Sequence, residues 1–226
     1  MITKHDISDF AEYCRKTLDL SNAEDSCAGL YVNLPQALCD AIFSMGVRYG
    51  AVRKVVANYI SYDTVKNSSP NHTISEFLDT IEKVGGAEKF ASDILKNRQR
   101  TSTRKGILKA ESCRLVAEEL KARGIETIAD FNNYPDREEL DRAILSTRSN
   151  KSGIMLKYLY MLTGDENMVK PDRMITRYIA SAGISVLDND EKVELVRAAA
   201  AELKSEFPNL VPRALDHAIW KYQRAL

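Results

Sequence analysis

The sequence predicts an all-α protein. Three observations carry that expectation: apolar residues recur at three- and four-residue steps along most of the chain, glycine and proline number only 10 and 6 in 226 residues, and most of them punctuate the periodic segments. A hydrophobic share of 44% with 28% charged residues is a globular composition, and the length suffices for a substantial core as one domain or two interleaved ones.

Taken in order, residues 5–19 place Ile7, Phe10, Ala11, Cys14 and Leu18 on one helical face. Ser21 to Glu24 has capping-box spacing and predicts a short helical turn before Tyr31 and Leu34. A helix starting at Pro35 carries Leu38, Cys39, Ile42 and Phe43 as far as Gly46. After Gly46–Gly50 another carries Val52, Val55, Val56, Tyr59 and Ile60. Residues 66–73 read as a polar loop, and Thr73 with Glu76 repeats the capping-box spacing ahead of Phe77, Leu78 and Ile81. Gly85 and Gly86 end that helix, and the next carries Phe90, Ala91, Ile94 and Leu95.

A helix over 108–123 follows, with Leu108, Cys113, Leu115, Val116 and Leu120 inside and Gly124 as its stop. Thr127–Phe131 begins another turn. Leu140, Ile144 and Leu145 then mark a helix, and beyond Ser149–Gly153 the pattern resumes at Ile154, Leu156, Tyr158, Leu159 and Leu162. Gly164 closes it, and Lys170-Pro171-Asp172 opens the next, because proline fits the first helical position and a carboxylate suits the positive end of the helix dipole. A long helix begins at Asp190 and Glu191 and carries Val193, Val196, Ala200, Leu203 and Phe207. Pro208–Pro212 separates it from a last helix with Leu215, Ala218, Ile219 and Tyr222, in which Trp220 reads as core and His217 as a hydrogen-bonded or exposed side chain.

Lys and Arg total 32 and so do Asp and Glu, so the net charge is zero and any nucleic-acid role must rest on local patches. One such patch is Lys96–Lys109, with six cations (Lys96, Arg98, Arg100, Arg104, Lys105, Lys109), no acid, and interleaved hydroxyls and amides. It reads as a phosphate-contact loop or as a solvated surface loop. The cysteines, Cys14, Cys27, Cys39 and Cys113, lack the close pairing of zinc or iron–sulphur sites and read as buried thiols in a reducing compartment. With no run of 18 apolar residues and no basic-then-apolar leader, the expectation is a cytoplasmic protein without a membrane partner.

The order helix, Ser149-Asn150-Lys151-Ser152-Gly153, helix, polar break and Pro171-Asp172-Arg173-Met174 resembles the helix-hairpin-helix DNA glycosylases of base-excision repair, closest to the alkyl-purine branch without an iron–sulphur cluster. The resemblance covers roughly residues 35–226 and implies two interleaved helical subdomains within a single all-helical unit. Residues 35–130 would form a subdomain with a wedge turn and the basic loop, 139–183 the hairpin and catalytic segment, and 1–34 and 184–226 terminal helices packing together.

On the same resemblance the partner is double-stranded DNA and the protein is a monomer. Asp172 is the catalytic carboxylate, stabilising a sugar cation and activating water. Backbone amides of Asn150 to Ile154, with Asn150, Lys151, Ser152 and Gly153 as the hairpin site, hold a phosphate, with no cofactor beyond a monovalent cation on hairpin carbonyls. Arg48 and Tyr49 are the residues that replace a flipped base in the stack. Arg98, Arg100, Arg104, Lys105, Lys170, Arg173 and Arg177 add phosphate contacts.

This chain keeps one hairpin glycine where the family usually has two. It also has Ser152, Gly153 and Ile154 where bifunctional members place a lysine, which implies a monofunctional hydrolase. Two alternatives stay open on the residues themselves. Gly46–Gly50 also reads as an ordinary turn. Asp172 also reads as a helix cap, which would leave a non-catalytic DNA-binding or lesion-recognition protein on the same fold.

Overall fold

The computed structural model describes residues 2–23, 29–47, 49–62, 64–148, 150–185 and 188–226. It is all-helical. The chain order is α1 (Lys4–Thr17), α2 (Leu34–Phe43), α3 (Tyr49–Tyr62), α4 (Thr64–Asn67), α5 (Ile74–Lys83) and α6 (Ala87–Lys89), which runs into a π-helical turn, Phe90–Ile94. Then come α7 (Lys109–Ala122), α8 (Ile128–Asn132), α9 (Arg137–Ser146), α10 (Ile154–Thr163), α11 (Arg173–Ser181), α12 (Asn189–Leu203) and α13 (Pro212–Ala225). Two compact units emerge, one from residues 31–163 and one from residues 1–30 with 164–226. The boundary falls inside the 139–183 stretch, so the hairpin lies in the central unit and Asp172 in the other.

Local chemistry starts the helices where short side chains can cap them. Thr3 with Asp6, Thr73 with Glu76, Thr127 with Asp130, and Asp188 with Glu191 form reciprocal capping boxes. Glu76 also accepts from Lys66 Nζ at 2.7 Å, and these bonds hold its carboxyl down at about 2. Three boundaries differ from the sequence reading. Residues 64–67 form the short α4 instead of opening a loop. Pro171 stands outside α11 and Asp172 is its N-cap, because the carboxylate competes for that place. Pro212 is the first helical residue of α13, where its missing N–H costs nothing. The expected turn at Ser21–Glu24 runs into residues outside those described.

In the central unit, all ten residues of α2 are buried, and α2 packs against α3, α7 and α10. A helix buried along its length needs internal partners for both ends. Asn33 caps its start, accepting from the Gln36 amide at 3.2 Å. At its other end the Lys109 ammonium, 1% exposed, donates to the carbonyls of Phe43 at 2.9 Å and Met45 at 2.8 Å. Counting Lys109 among surface cations was therefore wrong. Lys109 occupies the head of the buried stripe of α7, followed by Cys113, Val116 and Leu120.

In the other unit, α1 packs on α12, and α13 on α11 and α12. Its core holds Phe10 edge-on to Tyr178 at 5.7 Å and Tyr178 edge-on to Tyr222 at 5.6 Å. Cys14 lies in the same core, and burial pushes its thiol up to about 12. Cys39 and Cys113 are also buried and free, while Cys27 lies outside the described residues. Trp220 is only half buried, stacked on His217 at 5.6 Å and lying beneath Arg224, which corrects its reading as core. Among the described residues no helix is long and apolar enough to cross a membrane.

Lys109→Met keeps the chain length of the side chain and removes the donor from two α2 carbonyls. Loss of about 1–3 kcal/mol in urea unfolding is expected; an unchanged midpoint and slope would show that α2 needs no such cap.

Candidate nucleic-acid interface

The hairpin between α9 and α10 is built from inside. Tyr160 of α10 donates its hydroxyl to Asp141 of α9 at 2.5 Å, and the Arg137 guanidinium lies 3.6 Å from the Tyr160 ring centre, so the two helices are tied at fixed register. Asn150, 5% exposed, turns its side chain inward, and its amide donates to Thr147 Oγ1 at 2.8 Å and Ser112 Oγ at 3.4 Å. Thr147 Oγ1 donates in turn to the Ile144 carbonyl at 2.6 Å.

The backbone follows the same logic. Asn150 N–H donates to the Thr147 carbonyl at 3.3 Å and Gly153 N–H to the Asn150 carbonyl at 3.1 Å. Two of the amides expected to meet a phosphate are thus used within the turn. Those of Lys151 and Ile154 carry no such bond among the described residues, and Ile154 opens the first turn of α10, where amides lack intrahelical acceptors. Gly153 has φ 71°, and an added Cβ would come no nearer than 3.8 Å to Leu145; its backbone angle, and not space, calls for glycine. Lys151 and Ser152 are exposed at the tip, and Ser149 lies outside the described residues.

The basic segment is a closed loop. Thr101 N–H donates to the Ile107 carbonyl at 2.9 Å, Lys109 N–H to the Gln99 carbonyl at 2.8 Å, and Arg100 pairs with Leu108 in an isolated antiparallel bridge. Arg100 Nη1 donates to the Gly106 carbonyl at 2.7 Å, fastening the loop, and Arg98 pairs with Glu88 at 2.5 Å. Arg104 and Lys105 remain exposed at the tip, where Lys105 has φ 56°. Gly106 is sterically required, since a Cβ there would stand 2.3 Å from the Ser102 amide nitrogen and 2.4 Å from its carbonyl oxygen.

A hydrogen bond joins these pieces: Arg148 Nη2 donates to the Lys105 carbonyl at 3.2 Å. The loop tip and the hairpin are therefore neighbours, and Arg104, Lys105, Arg148 and Lys151 are all exposed. The sequence reading missed Arg148. A signal was present, because residues 142–164 contain no Asp or Glu, like residues 94–110.

Asp172 lies in the other unit. Its Oδ1 accepts from the Met174 amide at 2.7 Å as the cap of α11, while Oδ2 has no hydrogen-bond partner among the described residues. Asp172 is half exposed, Arg173 and Arg177 are exposed and make no ion pair with it among the described residues, and Lys170 is half exposed two residues before it. Arg48 and the Tyr49 side chain fall outside the described residues; Tyr49 begins α3. No group of three His, Cys, Asp or Glu among the described residues could hold a metal ion.

Gly106→Ala forces Ser102 away from the neck of the loop. An unfolding loss of about 1–3 kcal/mol and faster amide exchange at Thr101 and Lys109 are expected; unchanged exchange at both would mean that the loop closes by other means.

No curated protein and no solved structure matches the chain. Residues 8–224 match the family described as "Domain of unknown function (DUF8548)", and the chain belongs to that family.

Proposed function

We propose that the protein binds the phosphate backbone of double-stranded DNA through the hairpin and the basic loop tip, and that it is a monofunctional DNA glycosylase whose carboxylate is Asp172. The observation that carries the binding reading is the Arg148–Lys105 bond, which unites two acid-free segments into one cationic surface. Cations of this kind displace condensed counterions, and the Lys151 and Ile154 amides, which make no turn bond among the described residues, suit a phosphate oxygen. Arg98 and Arg100 contribute less directly, since each already serves an internal partner. Lys170, Arg173 and Arg177 add positive charge near Asp172 in sequence. A monovalent cation on the hairpin would use the second lone pairs of the Thr147 and Asn150 carbonyls, each of which accepts one turn bond; no chemical step runs through it.

The chemistry rests on the resemblance together with the open Oδ2 of Asp172. As the base leaves with the electrons of the C1′–N bond, positive charge grows on the sugar, and a carboxylate lowers that barrier electrostatically. It then takes a proton from water as the C1′–O bond forms. No residue in the described hairpin supplies an amine for a Schiff base at the family's lysine position, which favours hydrolysis over a lyase step.

A second reading is a DNA-binding protein without catalysis, favoured by the fact that Asp172 already has a structural task as the cap of α11. Mass spectrometry of bases released from alkylated, deaminated and oxidised duplexes separates the two. Release by the wild type should fall by about a hundredfold or more in Asp172→Asn; no release from any substrate by a preparation that binds DNA favours the second reading. Changing Arg104, Lys105 and Lys151 to alanine should weaken duplex binding and make log K against log salt shallower by about 0.9 per cation lost. An unaltered slope removes the proposed surface from both readings.

A further inference from the structure

The end of α1 and one face of α13 border a cavity of about 400 Å3 to which neither the hairpin nor the basic loop contributes a residue. Every lining residue belongs to the unit formed by residues 1–30 and 164–226. Both walls are made locally. The chain leaves α1 at Leu18, whose N–H donates to the Cys14 carbonyl at 2.9 Å, and turns where Ala23 N–H donates to the Leu20 carbonyl at 3.3 Å, with Leu20 sunk in the core. Across from this turn, His217, Ala218, Lys221 and Tyr222 fall on one face of α13, since residues four apart on a helix are neighbours.

The lining has an apolar part and a charged rim. Leu18, Ala23 and Tyr222 are partly buried against the core of the unit, and Tyr222 is itself held edge-on to Tyr178. The Thr17 hydroxyl also lines the cavity but is already engaged, donating to the Tyr13 carbonyl at 2.8 Å and lying 2.5 Å from the Tyr178 hydroxyl. Two opposite charges come from the two walls, Asp19 from the turn after α1 and Lys221 from α13, and both are exposed. Asp19 accepts from Asn22 Nδ2 at 2.9 Å, which orients its carboxylate, and it pairs with no cation among the described residues. An ammonium carries three donors, so Lys221 has capacity for a ligand carboxylate beside any other acceptor it serves.

We propose that this cavity binds a free α-amino acid with an aromatic side chain. The ammonium meets Asp19, the carboxylate meets Lys221, and the ring lies against Leu18, Ala218 and the Tyr222 ring. Charge and size both argue for this class. A cation or an anion alone would satisfy one wall and leave the other charge to water, whereas a zwitterion spans the two. Small-molecule sites run from roughly 300 to 1,000 Å3 and are mostly apolar with a few polar groups that fix orientation. A cavity of about 400 Å3 is far larger than a bare ion needs and suits a body of ring size. The site lies apart from the proposed DNA surface in sequence and in its residues, and it stands or falls without the glycosylase reading.

Titration of the full chain with L-phenylalanine, 2-phenylethylamine and 3-phenylpropionate, followed by amide NMR, tests the proposal. L-phenylalanine should give saturable shifts at residues 17–23 and 217–222, with a Kd on the order of 1 mM for a ligand of this size. Each analogue lacks one charge and should bind about tenfold or more weakly, since a charge-assisted hydrogen bond is lost. Asp19 and Lys221 are exposed, so Asp19→Asn and Lys221→Gln leave the core intact. Asp19→Asn should abolish the preference for L-phenylalanine over 3-phenylpropionate, and Lys221→Gln the preference over 2-phenylethylamine. Absence of saturable shifts with L-phenylalanine, shifts confined to other segments, or equal binding of all three molecules overturns the proposal. So does a preference that survives both substitutions.

Discussion

A helix buried on every side must find donors for its last carbonyls inside the protein, and in the central unit that constraint falls on Lys109. Its ammonium serves Phe43 and Met45 at the end of α2 while its own amide closes the neck of the basic loop on Gln99. The same residue also begins α7, whose buried stripe packs on α2. Removing an ion from water is costly, and two well-placed carbonyls are what make a buried ammonium tolerable. One residue thus joins the end of α2, through its side chain, to the start of α7 and the neck of the loop, through its backbone. The Arg148–Lys105 bond then passes that placement to the hairpin.

The candidate surface is consequently a property of packing more than of charge count. The chain is neutral, yet the exposed cations at the loop tip and hairpin come from two segments free of acids, while two other arginines of the segment are occupied by Glu88 and the Gly106 carbonyl. Asp172 belongs to a unit with its own core, in which α11 and α13 carry the cap and the buried Asp216. Each piece has a structural duty, and the proposed chemistry uses the atoms those duties leave over: Asp172 Oδ2, and the Lys151 and Ile154 amides.

Much of the helical order was legible in the sequence, for local reasons. The Thr73–Glu76 box and the apolar spacing of α2, α3, α9 and α10 depend on residues within a turn or two of one another. Three features were not legible. The closure of Lys96–Lys109 depends on backbone bonds and on the Gly106–Ser102 approach, which no side-chain pattern reports. Burial of Lys109 showed only in its register with Cys113, Val116 and Leu120, and was hidden by its place in a cationic run. Arg148 with Lys105 joins residues more than forty positions apart, which periodicity cannot reach. Asp172 itself was legible as a cap, because a carboxylate at a helix start serves the free amides and the positive end of the dipole.

The central claim is that DNA meets the hairpin and the loop tip. Hydrogen–deuterium exchange of the full chain, free and saturated with a short duplex carrying an abasic-site analogue, tests it directly. The account predicts slowed exchange at residues 150–155 and 102–106, reversed by high salt. Slowed exchange confined to other segments, or none at all with duplex bound, would contradict it.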